Sequence, residues 1–136
     1  MARILVAEDD TNVRAFVTRA LEMSGHAVTA AEDGGLALEI CQAEAGAFDL
    51  LLSDIKMPVM DGIALALSVG ADYPELTIVL MTGFADQRER AHGLDALIYD
   101  VMPKPFSLAQ LIEKVDDALA GRPTEIVPLA RSALGG

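Results

Sequence analysis

The sequence predicts an α/β domain, a doubly wound, five-stranded parallel sheet with helices on both faces. Three observations carry that prediction. Short apolar runs of strand length alternate with segments whose apolar residues recur at helical spacing. Leu50-Leu51-Leu52 is an unbroken apolar run, as expected of a strand covered on both faces. Thr77 to Met81 is the most β-branched stretch of the chain and ends at Thr82-Gly83. Strands joined through helices need crossovers, and right-handed crossovers place helices on each side of a parallel sheet.

The elements follow in order. Ile4 to Ala7 is the first strand, ending in Glu8-Asp9-Asp10. Thr11 to Met23 is a helix, with Val13, Phe16, Val17, Ala20 and Leu21 on one stripe and Gly25 just beyond its end. Ala27 to Ala30 is a weak second strand. Leu36 to Ala43 is the second helix, and Leu50 to Ser53 the third strand. The third helix runs from Gly62 to Asp72 and stops before Tyr73-Pro74, because a residue preceding proline resists the α region. After the fourth strand, Asp86 to Gly93 is a short, polar, charged helical segment. Leu97 to Tyr99 is read as the fifth strand, ahead of Met102-Pro103-Lys104-Pro105-Phe106. Ser107 caps a last helix carrying Leu108, Leu111, Ile112, Val115 and Leu119. No internal repeat is present. The pattern breaks at Gly121, so a domain at 1–120 and a flexible tail or linker at 121–136 are expected.

A chain of 136 residues, 52% hydrophobic and only 4% aromatic, builds one domain around aliphatic side chains. The net charge of −11, from 21 acidic and 10 basic residues, argues against unaided binding to nucleic acid or to an anionic membrane. Cys41 is the only cysteine, which excludes an intrachain disulfide and a Cys-based zinc site. No apolar run reaches membrane-spanning length, and Met1-Ala2-Arg3 leads directly into a strand. A cytoplasmic, reduced setting is expected.

Chemistry converges at the strand ends. Glu8-Asp9-Asp10 follows the first strand, Asp54 the third, Thr82 the fourth and Lys104 the fifth. In a parallel sheet these carboxyl ends share one edge, where open α/β sheets bind ligands. Clustered carboxylates invite a hard cation, and Mg2+ suits a few carboxylates together with water or phosphate oxygens. Lys104 adds a positive charge and Thr82 a hydroxyl donor. The set suits a phosphoryl group, with Asp54 placed as nucleophile. The plainer readings are local: Asp54 as a turn former, Asp10 as a helix cap, and Asp61 before Gly62 as turn chemistry and a cap.

Four motifs in order resemble the CheY-type receiver domain of two-component response regulators, over about Arg3 to Ala120. They are the acidic cluster with Arg14 downstream, D-I-K-M-P-V-M-D-G from Asp54, the M-T-G turn, and K-P-F from Lys104. The resemblance implies a flavodoxin-like sheet of order 2-1-3-4-5. It implies Asp54 as phosphoacceptor and Mg2+ held by Glu8, Asp9, Asp54 and the backbone carbonyl of Lys56. Thr82 and Lys104 would contact the phosphoryl oxygens, and the Lys104–Pro105 bond would be cis. The phosphodonor would be a histidine kinase or histidine phosphotransferase, and the output a contact with a downstream protein. The chain would be a monomer or a weak phosphorylation-dependent dimer, and a phosphoacceptor rather than an enzyme. Within the family, A-E-D-D, M-T-G-F and the missing switch aromatic are most similar to alphaproteobacterial cell-cycle receivers that, unphosphorylated, prime the ClpXP protease. That names ClpX as a downstream partner.

This chain also departs from the family. Val101, three residues before Lys104, stands where receivers often carry a switching Tyr or Phe, leaving Phe84 and Tyr99 as the nearby aromatics. Phe84 and Lys56 occupy the two places that flank the attacking water in receivers, so a ring at 84 is expected to prolong the phosphorylated state. Two other classes stay open. Haloacid-dehalogenase-type phosphatases also use an aspartate after a parallel strand, but place a second Asp two residues on, where this chain has Lys56. A receiver-like interaction module that signals without phosphate has no need of Asp9, Asp54, Thr82 and Lys104 together. The chain also reads as a receiver cut from a longer regulator with a separate output domain.

Overall fold

The computed structural model describes residues 1–84 and 89–121, and of His92 the backbone alone. Five strands form one all-parallel sheet: β1 (Arg3–Ala7), β2 (Ala27–Ala31), β3 (Leu50–Asp54), β4 (Thr77–Thr82) and β5 (Asp100–Pro103), in the spatial order β2-β1-β3-β4-β5. Four helices connect or follow them among the described residues: α1 (Thr11–Met23), α2 (Gly34–Ala43), α3 (Gly62–Asp72) and α4 (Leu108–Leu119). The doubly wound class and the order 2-1-3-4-5 are as expected from sequence.

Successive strand residues point to opposite faces, so each strand feeds two cores. Leu5, Leu51, Ile78 and Leu80 point to one side, where Cys41, Leu65 and Val69 of α2 and α3 close the layer. Ile4, Val6, Leu50, Leu52, Val79 and Met81 point to the other, against Val17 and Leu21 of α1 and Leu111 and Val115 of α4. The Leu50–Leu52 run is buried throughout for this reason. Burial of a leucine-sized side chain contributes roughly 1.5–3 kcal/mol, so the three leucines anchor both layers at once.

The strand boundaries carry corrections. The fifth strand is Asp100–Pro103, not Leu97–Tyr99. Leu97 and Ile98 donate to Leu94 O at 2.8 and 3.0 Å, which holds that apolar stretch in a turn. The ladder is entered only with Tyr99 N on Ile78 O at 2.7 Å. Pro103 is tolerated in β5 because this strand forms the sheet edge, where a missing N–H costs no ladder bond. α2 begins two residues earlier than expected, at Gly34, with the Asp33 carboxylate accepting from Leu36 N at 2.7 Å. A Cβ on Gly34 would lie 2.0 Å from Met60 O, so only glycine lets this helix start against the β3–α3 loop.

Ser107 caps α4 as expected, in a capping box with Gln110. Of the expected helix over 86–93, residues 89–91 are helical and lead into a 3-10 turn, His92–Leu94. Its remaining residues, and the tail from 122 onward, lie outside the described residues. Among the described residues no helix is long and apolar enough to cross a membrane.

Candidate functional site

The site lies at the carboxyl edge of the sheet, where β1, β3, β4 and β5 end. At the end of β1, Glu8 stays in line because its N–H donates to Ala31 O at 3.1 Å. Its side chain is fully buried, with 0% exposure. Arg14 reaches back from α1 to donate to the Glu8 carbonyl at 2.8 Å, which pins the acidic loop. Asp10 is the α1 cap, accepting from Asn12 N and Val13 N at 2.9 and 3.1 Å, and so is withdrawn from the cluster. Asp9 is exposed at the rim.

Asp54 ends β3 and is buried to 8% exposure. Its Oδ1 accepts from Ile55 N at 2.9 Å, and its Oδ2 lies 3.2 Å from Lys104 Nζ. Lys104 is delivered by the turn after β5, where its backbone N donates to Thr82 O at 2.8 Å and the Lys104–Pro105 peptide is cis, as expected. The same ammonium donates to Glu8 Oε1 at 2.6 Å. Carboxylate oxygens of Glu8, Asp9 and Asp54 all lie within 4.8 Å of one another.

Thr82, at the end of β4, is buried, but its hydroxyl is engaged within its own turn. It accepts from Phe84 N at 3.0 Å and sits 3.3 Å from Phe84 O. Lys56 is exposed, two residues beyond Asp54 in the same loop, and its Nζ stands 4.8 Å from the Phe84 ring centroid. That cation–π contact spans the site between the β3 and β4 loops. Val101 packs against the α2–α3 core, whereas Tyr99 packs against the α1–α4 core. Tyr99 and Val101 thus lie on opposite faces of the sheet.

The electrostatics follow from burial. Desolvation pushes the Glu8 carboxyl up to about 7, and the nearby Asp54 charge adds to this, even though Lys104 and the Asp10 amide hydrogen-bond to it. For Lys104, burial alone would depress the ammonium. The Glu8 hydrogen bond and the Asp54 charge outweigh that and hold it above its ordinary value. Glu8 and Asp54 thus share one ammonium, with Asp9 at the rim beside them, and the innermost carboxylate, Glu8, resists ionisation. A hard, oxygen-seeking cation fits such a donor set, since every ligand offered is a carboxylate oxygen.

The structure brings together Glu8, Asp9, Asp54 and Lys104, and places Thr82 and Lys56 on the loops beside them. Sequence reasoning missed Gly62. A Cβ there would lie 2.1 Å from Asp54 O, so the residue is glycine to let α3 start against the loop carrying Asp54. The Asp61-Gly62 pair after Pro58 was the available signal. Asp61 itself caps α3 through Ala64 N at 2.8 Å and binds Arg90 at 3.1 Å. Burial raises its carboxyl, but those donors hold it below the usual range.

Comparison with known proteins agrees with this geometry. The response regulator receiver domain model matches residues 4–116. The chain is 41% identical over 119 residues to the response regulator receiver protein CpdR of Brucella abortus, covering 88% of this chain and 98% of that protein. It is 36% identical to the response regulator MprA of Mycobacterium ulcerans over 83% of this chain, but spans only 48% of MprA. The structure of the Vibrio cholerae chemotaxis protein CheY4 superposes with a TM-score of 0.77 at 28% identity, covering 87% of this chain and 98% of that one.

Proposed function

The chain belongs to the response regulator receiver domain family of two-component signalling, and we propose that Asp54 accepts a phosphoryl group from a phosphohistidine in a Mg2+-dependent reaction. The observation that carries this reading is the single cluster in which Asp54 Oδ2 lies 3.2 Å from Lys104 Nζ and all three carboxylates lie within 4.8 Å. Oδ2 is the attacking atom: as its bond to phosphorus forms, the bond from phosphorus to the donor imidazole breaks. Ile55 N holds Oδ1 and so orients the carboxylate for attack. Lys104 carries its ammonium to the phosphoryl oxygens as charge develops there. Glu8, Asp9, Asp54 and the Lys56 carbonyl would hold the metal. A bound Mg2+ supplies positive charge to the equatorial phosphoryl oxygens. Thr82 turns its hydroxyl from Phe84 toward the new dianion, which moves the β4 loop and transmits the signal.

On this reading residues 1–120 are the receiver unit, 121–136 a tail or linker, and the setting cytoplasmic. The protein is a phosphoacceptor whose only chemistry is its own phosphorylation and dephosphorylation. The exposed Phe16 ring, 6.4 Å from the half-buried Phe106 ring, gives a histidine kinase or phosphotransferase an apolar surface on which to dock. Output passes through protein contacts, with a ClpX-type unfoldase as the downstream partner that the motif resemblance implies. The test is transfer of radiolabel from a phosphorylated histidine phosphotransferase. Transfer to the wild type that is abolished by chelating Mg2+ and by Asp54→Asn supports the assignment. Label retained by Asp54→Asn overturns it.

A further inference from the structure

We infer that a second copy of this chain pairs with the free edge of the sheet, β2 against β2, independently of phosphorylation. β2 is the outermost strand on its side and, among the described residues, pairs with β1 alone. Ala27 N donates to Ala2 O at 2.9 Å, and Ala31 O accepts from Glu8 N at 3.1 Å, so residues 27, 29 and 31 turn their backbone groups toward β1. Alternation leaves the N–H and C=O of Val28 and Ala30 pointing outward from the sheet. Ala27, Thr29 and Ala30 are exposed. Native sheets blunt such an edge with charge, proline or a bulge. The far edge does so, with Asp100 and Pro103 in β5. Ala27-Val28-Thr29-Ala30-Ala31 carries none of these and keeps an unbroken one-to-one register with β1. β4, whose loop responds to the phosphoryl group, lies three strands away.

A second copy fits because this edge is complementary to itself about one twofold axis. With Thr29 on the axis and the strands antiparallel, Val28 of each copy stands opposite Ala30 of the other. All the outward N–H and C=O groups of these residues then find partners. An axis at Val28 or Ala30 satisfies only half of them within β2. Helix α1 obeys the same axis. Between it and β2 lies an open groove of about 530 Å³, lined by Arg14, Ala15, Thr18 and Glu22 of α1 and by Ala30. Arg14, Thr18 and Glu22 follow one another at about one helical turn on that face. Two such helices, antiparallel about Thr18, set Arg14 of each copy against Glu22 of the other. Arg14 holds the Glu8 carbonyl through Nη1, which leaves Nη2 to reach across. Thr18 and Ala30 line the same groove, so the centres on helix and strand lie at one level. Phe16, about 200° around α1 from Thr18, stays open to a phosphodonor protein. The pair is a continuous sheet whose two Asp54 sites face in opposite directions.

The test is sedimentation of the unphosphorylated full chain over a concentration series, with oxidative cross-linking of Thr29→Cys beside it. The expected results are a monomer–dimer equilibrium and a disulfide-linked dimer, because residues opposed in a non-hydrogen-bonded antiparallel pair stand about 4.5 Å apart at Cα. Cys41 is fully buried and gives no background link. Glu75→Cys, exposed on the loop before β4, should not cross-link. Ala30→Pro removes an outward donor, spares the β1 ladder and should leave only monomer. Glu22→Arg is a surface change that keeps the test intact should Ala30→Pro unfold the domain. It should raise the dissociation constant on the order of tenfold. A monomer at every concentration, or a dimer that forms only with a phosphodonor, overturns the proposal. So does a dimer that Glu22→Arg leaves unchanged, or cross-linking of Glu75→Cys as fast as that of Thr29→Cys.

Discussion

Lys104 Nζ lies 2.6 Å from Glu8 Oε1, closer than the 3.2 Å that separates it from Asp54 Oδ2. The ammonium that serves Asp54 is thus also the counter-ion of a fully buried carboxylate 96 residues away. Removing it strands two acids in a desolvated site. Lys104→Met should destabilise the Mg2+-free protein by about 1–3 kcal/mol, measured by denaturant unfolding. Adding Glu8→Gln should recover part of that loss, because the uncompensated charge is removed. Full additivity of the two changes would contradict the pairing.

The Glu8 carboxyl sets a pH dependence. Its folded pKa of about 7 lies above its ordinary 4.5, so in the Mg2+-free protein the folded state holds the proton longer than the unfolded one. Stability from this group is full below 4.5 and declines as pH rises to about 7. Mg2+ needs the ionised form, so calorimetric Mg2+ affinity should rise as pH is raised through about 7. Glu8→Gln should flatten both profiles.

Phe84 and Lys56 stand 4.8 Å apart on the loops that follow β4 and β3, and on the proposed function they flank the water that attacks a phosphoryl group on Asp54. Phe84→Ala should shorten the life of the phosphorylated form by a factor on the order of ten, equivalent to about 1.4 kcal/mol of barrier. A radiolabel chase with an unchanged rate would remove Phe84 from this role.

Gly62 admits no side chain beside the Asp54 carbonyl, 2.1 Å from where a Cβ would stand. Gly62→Ala should cost about 1–3 kcal/mol of stability through overpacking, and should slow phosphorylation by shifting the strand end. Stability and phosphorylation both at wild-type level would show that the loop yields freely.

Much of this architecture is legible in the sequence because apolar runs and helical spacing report burial directly. Leu50–Leu52 reads as a doubly covered strand, and it is one. β5 was not legible: Leu97-Ile98-Tyr99 is apolar because it packs from a turn, while the true edge strand carries Asp100 and Pro103. At the site, parallel strand ends bring Glu8, Asp9, Asp54 and Lys104 to one edge whatever their sequence separation. The preference of Lys104 for Glu8 was not legible, because it depends on how deeply Glu8 is buried. Nor was the engagement of the Thr82 hydroxyl with Phe84, a choice among rotamers that the strand end leaves open.

The central claim is that Asp54 accepts the phosphoryl group. Its most direct test is the intact mass of wild type and Asp54→Asn after incubation with Mg2+ and acetyl phosphate, a small-molecule phosphodonor. The account predicts a single phosphoryl mass gain in the wild type and none in the variant. The same gain in both proteins would contradict it.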